Sequence, residues 1–165
     1  MSYDIYIGEL KLEEYKDEVD DNEGEYTCSY TVDAINDDSA PNFEGDDMTG
    51  NSNHRHPGYS QWSDFCKRNN LYDLFFKEYV GIMSRHPGCF RLTKEHLQVF
   101  KDALKHREEI DKRPAGLDPR YIKDEFQHIE EGQETTDYDK VRLIWLIFWT
   151  EWALKNCKYP AIANH

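Results

Sequence analysis

Period-two alternation opens the chain. Tyr3, Ile5 and Ile7 alternate with Asp4 and Tyr6 until Gly8 stops the run, which predicts a β-strand. A second run is longer. Tyr26, Cys28, Tyr30 and Val32 share one face, while Glu25, Thr27, Ser29, Thr31 and Asp33 share the other. Its β-branched and aromatic residues suit a pleated, half-buried surface. Between the two runs lies an acidic stretch, Glu13 to Gly24, with room for a loop or for a short strand at Leu10–Leu12. The pattern predicts a small antiparallel sheet over residues 2–33 with one face wet. Residues 34–58 hold the turn formers Asp37-Asp38-Ser39-Ala40-Pro41-Asn42 and Gly45-Asp46-Asp47. They predict a long irregular segment, which inside a compact domain is usually functional or disordered.

From residue 60 the apolar spacing becomes helical. Ser60 is placed to cap a helix carrying Trp62, Phe65 and Cys66, and Asn69-Asn70 interrupts it. Leu71, Leu74, Phe75 and Tyr79 predict a continuation over 71–79. Thr93 is placed to cap the next helix, where Leu97, Phe100 and Leu104 recur and Pro114 ends the region. Asp118-Pro119 is a helix start, with Ile122, Phe126 and Ile129 on its buried face and Gly132 after its end. Thr136 is placed to cap a last helix over 138–156. That helix is apolar all round at its centre, as a helix in the middle of a bundle is. Trp145, Leu146, Phe148, Trp149 and Trp152 are its expected core. The predicted class is α+β: a small antiparallel β-sheet at the N-terminus packed on a C-terminal helical bundle. One domain, 1–165, is expected, with an acidic β/loop part (1–58) and a helical part (59–165). His56-Pro57-Gly58 recurs as His86-Pro87-Gly88, each ahead of an expected helix cap, and two Pro-Gly turns explain the echo without a repeat.

The charge is unevenly placed. Of a net −13, residues 1–50 supply the whole, with 16 Asp+Glu against Lys11 and Lys16; residues 51–165 are almost balanced, 17 acidic to 18 basic. A phosphate backbone is repelled by such a surface, so no direct nucleic-acid partner is expected. The acidity either keeps the protein in solution or docks on a host protein with a basic surface. Asp17, Glu18, Asp20 and Asp21 are the partner-binding candidates on the second reading. An aromatic content of 14 % argues for a packed core rather than disorder. The longest apolar run, Leu143–Trp149, has seven residues, against roughly 20 for a membrane span. The first residues lack the basic and apolar regions of a signal peptide. Cys28, Cys66, Cys89 and Cys157 form no C-x-x-C pair, so free thiols in a reducing cytoplasm are expected.

Candidate chemistry concentrates in residues 51–62, where Asn51, Asn53, Arg55, His56, Tyr59 and Trp62 stand close in sequence. They lead into a helix N-terminus, whose free N–H groups and dipole favour anions. A small anionic nucleotide suits such a place: Tyr59 or Trp62 would stack on the base and Arg55 would hold a phosphate. Neither G-x-G-x-x-G nor a P-loop is present. The plainer alternative is a loop tied down by its own side-chain hydrogen bonds, with Trp62 in the core. His54 and His56, with Asp46 and Asp47, suggest a metal-dependent hydrolase, the least favoured alternative. Zinc needs three or four ligands, and H-E-x-x-H and the EF-hand loop are absent. Cys66 and Cys89 lie near the His-Pro-Gly turns, as a nucleophilic Cys–His pair would. Free cysteines are more often small buried hydrophobes. No catalytic residue, metal or cofactor is assigned.

The stretch from Pro41-Asn42-Phe43-Glu44-Gly45-Asp46-Asp47 through His56-Pro57-Gly58-Tyr59-Ser60-Gln61-Trp62-Ser63-Asp64-Phe65-Cys66 resembles a group of small uncharacterised bacteriophage- and prophage-encoded proteins. Leu71-Tyr72-Asp73-Leu74-Phe75-Phe76 and His86-Pro87-Gly88-Cys89 extend the resemblance, which covers residues 1–105. It implies a phage accessory protein acting in the cytoplasm of a bacterial host, of the kind that masks a defence protein or sequesters a signalling nucleotide. It implies no catalytic residue. Together these readings give a non-enzymatic anti-defence protein that binds and blocks a host protein through an acidic surface. The alternative is one that sequesters a nucleotide around Asn51–Trp62.

Overall fold

The computed structural model describes residues 1–16, 26–42, 47, 50–115 and 136–165. The first alternation becomes β1 (Ile5–Lys16) and the second β2 (Tyr26–Val32), antiparallel from Leu10↔Val32 to Lys16↔Tyr26. Gly8 does not stop β1. A Cβ there would stand 3.1 Å from Val32 Cγ1, so the glycine answers close packing rather than a turn.

Three more strands join these two: β3 (His54–Arg55), β4 (Gly88–Arg91) and β5 (Pro160–Asn164). The order is β2-β1-β5-β4 with β3 on β1, and every pairing is antiparallel. The sheet therefore draws on both ends of the chain. Residues 59–165 supply two of its strands as well as the helices.

Ile5 and Ile7 of β1 and Ile162 of β5 point one way into the core, where they are fully buried. Gly8, Ala161 and Ala163 share the opposite face with Val32, and all four are buried too, so the centre of that face is not wet as the alternation suggests. The cause is curl. Small residues on the inner face let the sheet bend, until Cys89 Sγ of β4 comes 3.6 Å from the Tyr30 carbonyl of β2.

The helices are α1 (Tyr59–Arg68), α2 (Tyr72–Phe76), α3 (Lys94–Ile110) and α4 (Tyr138–Asn156). Thr93 caps α3 as expected. Gly58 takes the N-cap position of α1 in place of Ser60, and its N–H donates to Gln61 Oε1 at 3.0 Å. Asp137 caps α4 in place of Thr136, accepting from the N–H groups of Asp139 and Lys140. A carboxylate there also matches the helix dipole.

α2 is shorter than the spacing predicts because the chain doubles back on it. The Leu74 and Phe75 carbonyls accept from Ile82 and Met83 N–H at 3.0 and 2.7 Å. Tyr79 stands at φ 67° in that reversal. Gly81 passes so close that a Cβ would meet the Phe75 carbonyl oxygen at 2.6 Å. The second His-Pro-Gly, with a cis His86–Pro87 bond, leads into β4 rather than straight to a helix cap. The helix expected after Asp118-Pro119 lies outside the described residues.

α4 packs on α3 and on β1. Trp145, Leu146 and Trp149 are fully buried there. Phe148 and Trp152 are only half-buried, because they flank the side of α4 that meets the sheet and α3. Among the described residues no helix is long and apolar enough to cross a membrane.

Candidate functional site

The polar residues of 51–62 are largely consumed by the sheet. Ile5 pairs with both Arg55 and Asn164, so β3 and β5 hold opposite edges of β1, and β2 and β3 follow one another along the same edge. Asn53 fills the gap between them. Its Oδ1 accepts from Ile35 N–H at 2.7 Å, and its Nδ2 donates to the carbonyls of Ile7 and Asp33 at 2.8 and 2.9 Å. Buried backbone groups need such partners, and one amide side chain supplies them where no strand continues.

Arg55 is buried with its guanidinium 3.5 Å from Asp47 Oδ1 and 5.3 Å from the centre of the Trp145 ring. Trp62 is enclosed between Phe65 and Phe75, ring centroids 4.8 and 5.4 Å away. Asn53, Arg55 and Trp62 thus present no surface to a ligand. Asn51 is half-buried and His56 is exposed. The six candidates do not converge on one pocket.

Tyr59 is half-buried against Tyr3 at 4.4 Å, and its hydroxyl lies 3.0 Å from His86 Nε2. Asn164 settles the direction of that bond. Its Nδ2 faces the carbonyls of Ile82, Arg85 and Gly88 at 3.4, 3.2 and 3.4 Å. Its Oδ1 therefore accepts from His86 Nδ1–H at 2.7 Å. His86 Nε2 is left to accept from the Tyr59 hydroxyl. The two His-Pro-Gly turns are joined by this contact, Tyr59 following the first and His86 opening the second.

His54 and His56 form no metal-holding group with Asp47. His54 Nε2 is 2.9 Å from Asp4 Oδ1 and its ring stacks on Tyr6 at 4.2 Å, while His56 stands 5.5 Å from His54. Asp47 turns inward to Arg55 and to Arg142 Nε, the latter at 2.9 Å. Asp46 lies outside the described residues. Among the described residues no three His, Cys, Asp or Glu are placed to hold one metal ion. Burial raises the thiol pKa of Cys66 and Cys89, and that of Cys157 to about 11. All three are protonated at neutral pH, which disfavours nucleophilic attack.

A charged cluster ties the C-terminal ends of α1 and α3 to the start of α4. Arg68 grips Asp139 with two bonds, Nε at 2.9 Å and Nη2 at 3.0 Å, and Asn69 Nδ2 adds a third at 3.0 Å. Arg107 Nε donates to Asp137 at 2.9 Å, and its Nη1 lies 3.6 Å from Asp139. Arg142 Nη1 also stands 3.6 Å from Asp139. Arg113 holds Asp111 through Nε and Nη2 at 3.1 and 2.7 Å. Beside the cluster opens a cleft of about 630 Å³.

Burial alone would raise the Asp139 carboxyl, but the hydrogen bonds from Arg68 and Asn69 and the charges of Arg68 and Arg107 outweigh it and hold the pKa below the usual range. Asp111 is held lower still by Arg113. Carboxylates depressed in the folded state stabilise it fully above their unfolded pKa of about 4 and lose that contribution as pH falls toward the folded values. Urea midpoints should therefore fall from pH 5 to pH 2.5 in the native chain. An Asp139→Asn variant should show a visibly smaller drop, and equal drops would show that Asp139 titrates normally.

β1 and β2 form a two-stranded arm. The β1–β5 register ends at Glu9↔Pro160, so from Lys11 to Lys16 the only described strand beside β1 is β2. Leu12 and Tyr30 are cross-strand partners there, 54 % and 53 % exposed, on the face that buries Val32 one rung pair inward. Lys11 pairs with Asp33 on the arm as well. The candidates Asp17, Glu18, Asp20 and Asp21 follow β1 directly in sequence and lie outside the described residues.

The sequence reading missed the exposed Leu12–Tyr30 pair, because β1 was expected to end at Gly8. It missed the charged cluster because Asp137 and Asp139 were passed over for Thr136. The Asp137-x-Asp139-x-x-Arg142 spacing at a helix start was the available signal. No protein-family model, no curated protein and no solved structure matches this chain.

Proposed function

We propose that this is a non-enzymatic binding protein that docks on a basic surface of a host protein through the β1–β2 arm and blocks that surface. The observation that carries the reading is the exposed Leu12–Tyr30 pair, an aromatic and an aliphatic side chain held side by side on paired strands. Residues 17–25, which join those strands in sequence, hold six Asp+Glu and no Lys or Arg. Aromatic anchors ringed by charge are how many interfaces divide the work: the anchor sets affinity, and the charges steer encounter and choose the partner. The resemblance to bacteriophage proteins supplies the context, an anti-defence factor in the bacterial cytoplasm.

The test is capture from bacterial lysate, followed by binding kinetics with the purified captured protein. Neutralising Asp17, Glu18, Asp20 and Asp21 together should slow association by roughly ten-fold at low salt, and added salt should mimic it. Leu12→Ser with Tyr30→Ser should instead speed dissociation. Kinetics indifferent to salt and to both sets of substitutions would remove the arm from consideration.

A further inference from the structure

We infer that the cleft beside the charged cluster is a binding site for a small phosphorylated ligand, gripped by Arg68 and Arg113. This site is separate from the arm and from residues 51–62 of the sequence reading, apart from Gln61 on its wall.

The argument starts from how the two arginines are held. Each uses Nε and Nη2 on a carboxylate, Arg68 on Asp139 and Arg113 on Asp111. Neither uses Nη1 in any contact among the described residues. Both side chains are about half exposed, 50 % and 47 %, and both line the cleft. The aspartates therefore act as clamps, fixing each guanidinium plane while leaving one edge of it unengaged. A guanidinium held this way loses little freedom on binding an anion.

The chemistry of the ligand follows from the number and origin of these edges. They come from different parts of the fold, the end of α1 and the segment after α3. A carboxylate offers two oxygens in one plane, whereas a phosphate offers three around a tetrahedron and can meet two edges at once. The cleft's volume of about 630 Å³ falls among those that enclose small organic ligands, typically about 300–1,000 Å³. It has room for more than the phosphate. Tyr138 and Gln61 also stand on its walls. Three arginines line the cleft, including Arg142, beside Asp137 and Asp139, and the clamp Asp111 brings the carboxylates to the same number.

The experiment is calorimetric titration of the full chain with inorganic pyrophosphate and with adenosine monophosphate, each to about 10 mM. Both probes should bind. Arg113→Lys keeps the charge and loses the planar edge, and should weaken both by roughly ten-fold or more, as the loss of a charge-assisted hydrogen bond does. Arg68→Gln should do the same. Arg113→Lys is the safer variant, because the Arg113 side chain is half exposed and among the described residues pairs only with Asp111, so the fold tolerates it; thermal melting verifies this. Arg91→Gln, an exposed arginine on β4, should leave binding unchanged. Absence of heat with both probes, or affinities unaltered by Arg113→Lys, would overturn the assignment.

Discussion

Asp139→Ala is expected to destabilise the protein by about 3–5 kcal/mol, the range for removing one partner from a buried ion pair. The side chain is 5 % exposed and is approached by Arg68, Arg107 and Arg142. Arg68 is half exposed and can turn to water when its partner goes. Arg107 and Arg142 are 13 % and 5 % exposed and cannot do so without moving α3 or α4. Asp137 and Asp47 still hold them, but neither carboxylate replaces the charge lost between them. Chemical denaturation of the native chain, Asp139→Ala and Asp139→Asn would measure the effect. Asparagine keeps the bond from Asn69 and should recover only part of the loss. A cost below about 1 kcal/mol for alanine, typical of exposed pairs, would mean that water reaches the cluster and that it holds nothing together.

Trp149→Ala is expected to cost a similar amount, about 3–5 kcal/mol, for a different reason. Trp149 is fully buried on α4, with Phe148 and Trp152 at ring distances of 5.2 and 5.5 Å. Truncation leaves a cavity that these two aromatic neighbours, fixed on the same helix, cannot collapse into. The variant should unfold at lower urea with its m-value kept, because the same surface is exposed on unfolding. Trp152→Ala should cost visibly less, since Trp152 is only half-buried. Equal costs, or an unchanged midpoint for Trp149→Ala, would show that α4 is not the centre of the core.

Much of this frame was legible in the residues. Alternation located the start of β1 and β2, and helical spacing located α1 and α3, because each is long enough to show a period; an unbroken apolar run located α4, and of the expected caps Thr93 holds its place. The strands that escaped are β3, β4 and β5, and β3 is only two residues long. Gly88–Arg91 is too short to alternate, and Pro160-Ala-Ile-Ala-Asn has small side chains chosen for the inside of a curl rather than for strand propensity. Local sequence carries no sign of a requirement imposed by strands far away in the chain.

The candidate site was harder to read for a related reason. Asn53, Arg55 and Trp62 form a dense polar and aromatic run, and such a run has the same composition whether it serves a ligand or a sheet. Only the register shows that Asn53 completes a broken ladder and that Arg55 answers Asp47. Arg68, Arg107 and Asp139 come from three separate helices, so no window of sequence contains them together.

The place of β5 in the sheet also sets an order of events during synthesis. Ile5 pairs with Asn164 almost a full chain length away, and β4 finds its only described ladder on the same strand. While the ribosome is still making α4, β1 carries an unpaired edge on that side, the kind of edge that recruits other chains. Closing so long a loop is also slow compared with forming local helices. The nascent protein must therefore wait for β5 before its sheet closes, and until then a chaperone that meets it on the ribosome will find this edge of β1 in need of cover.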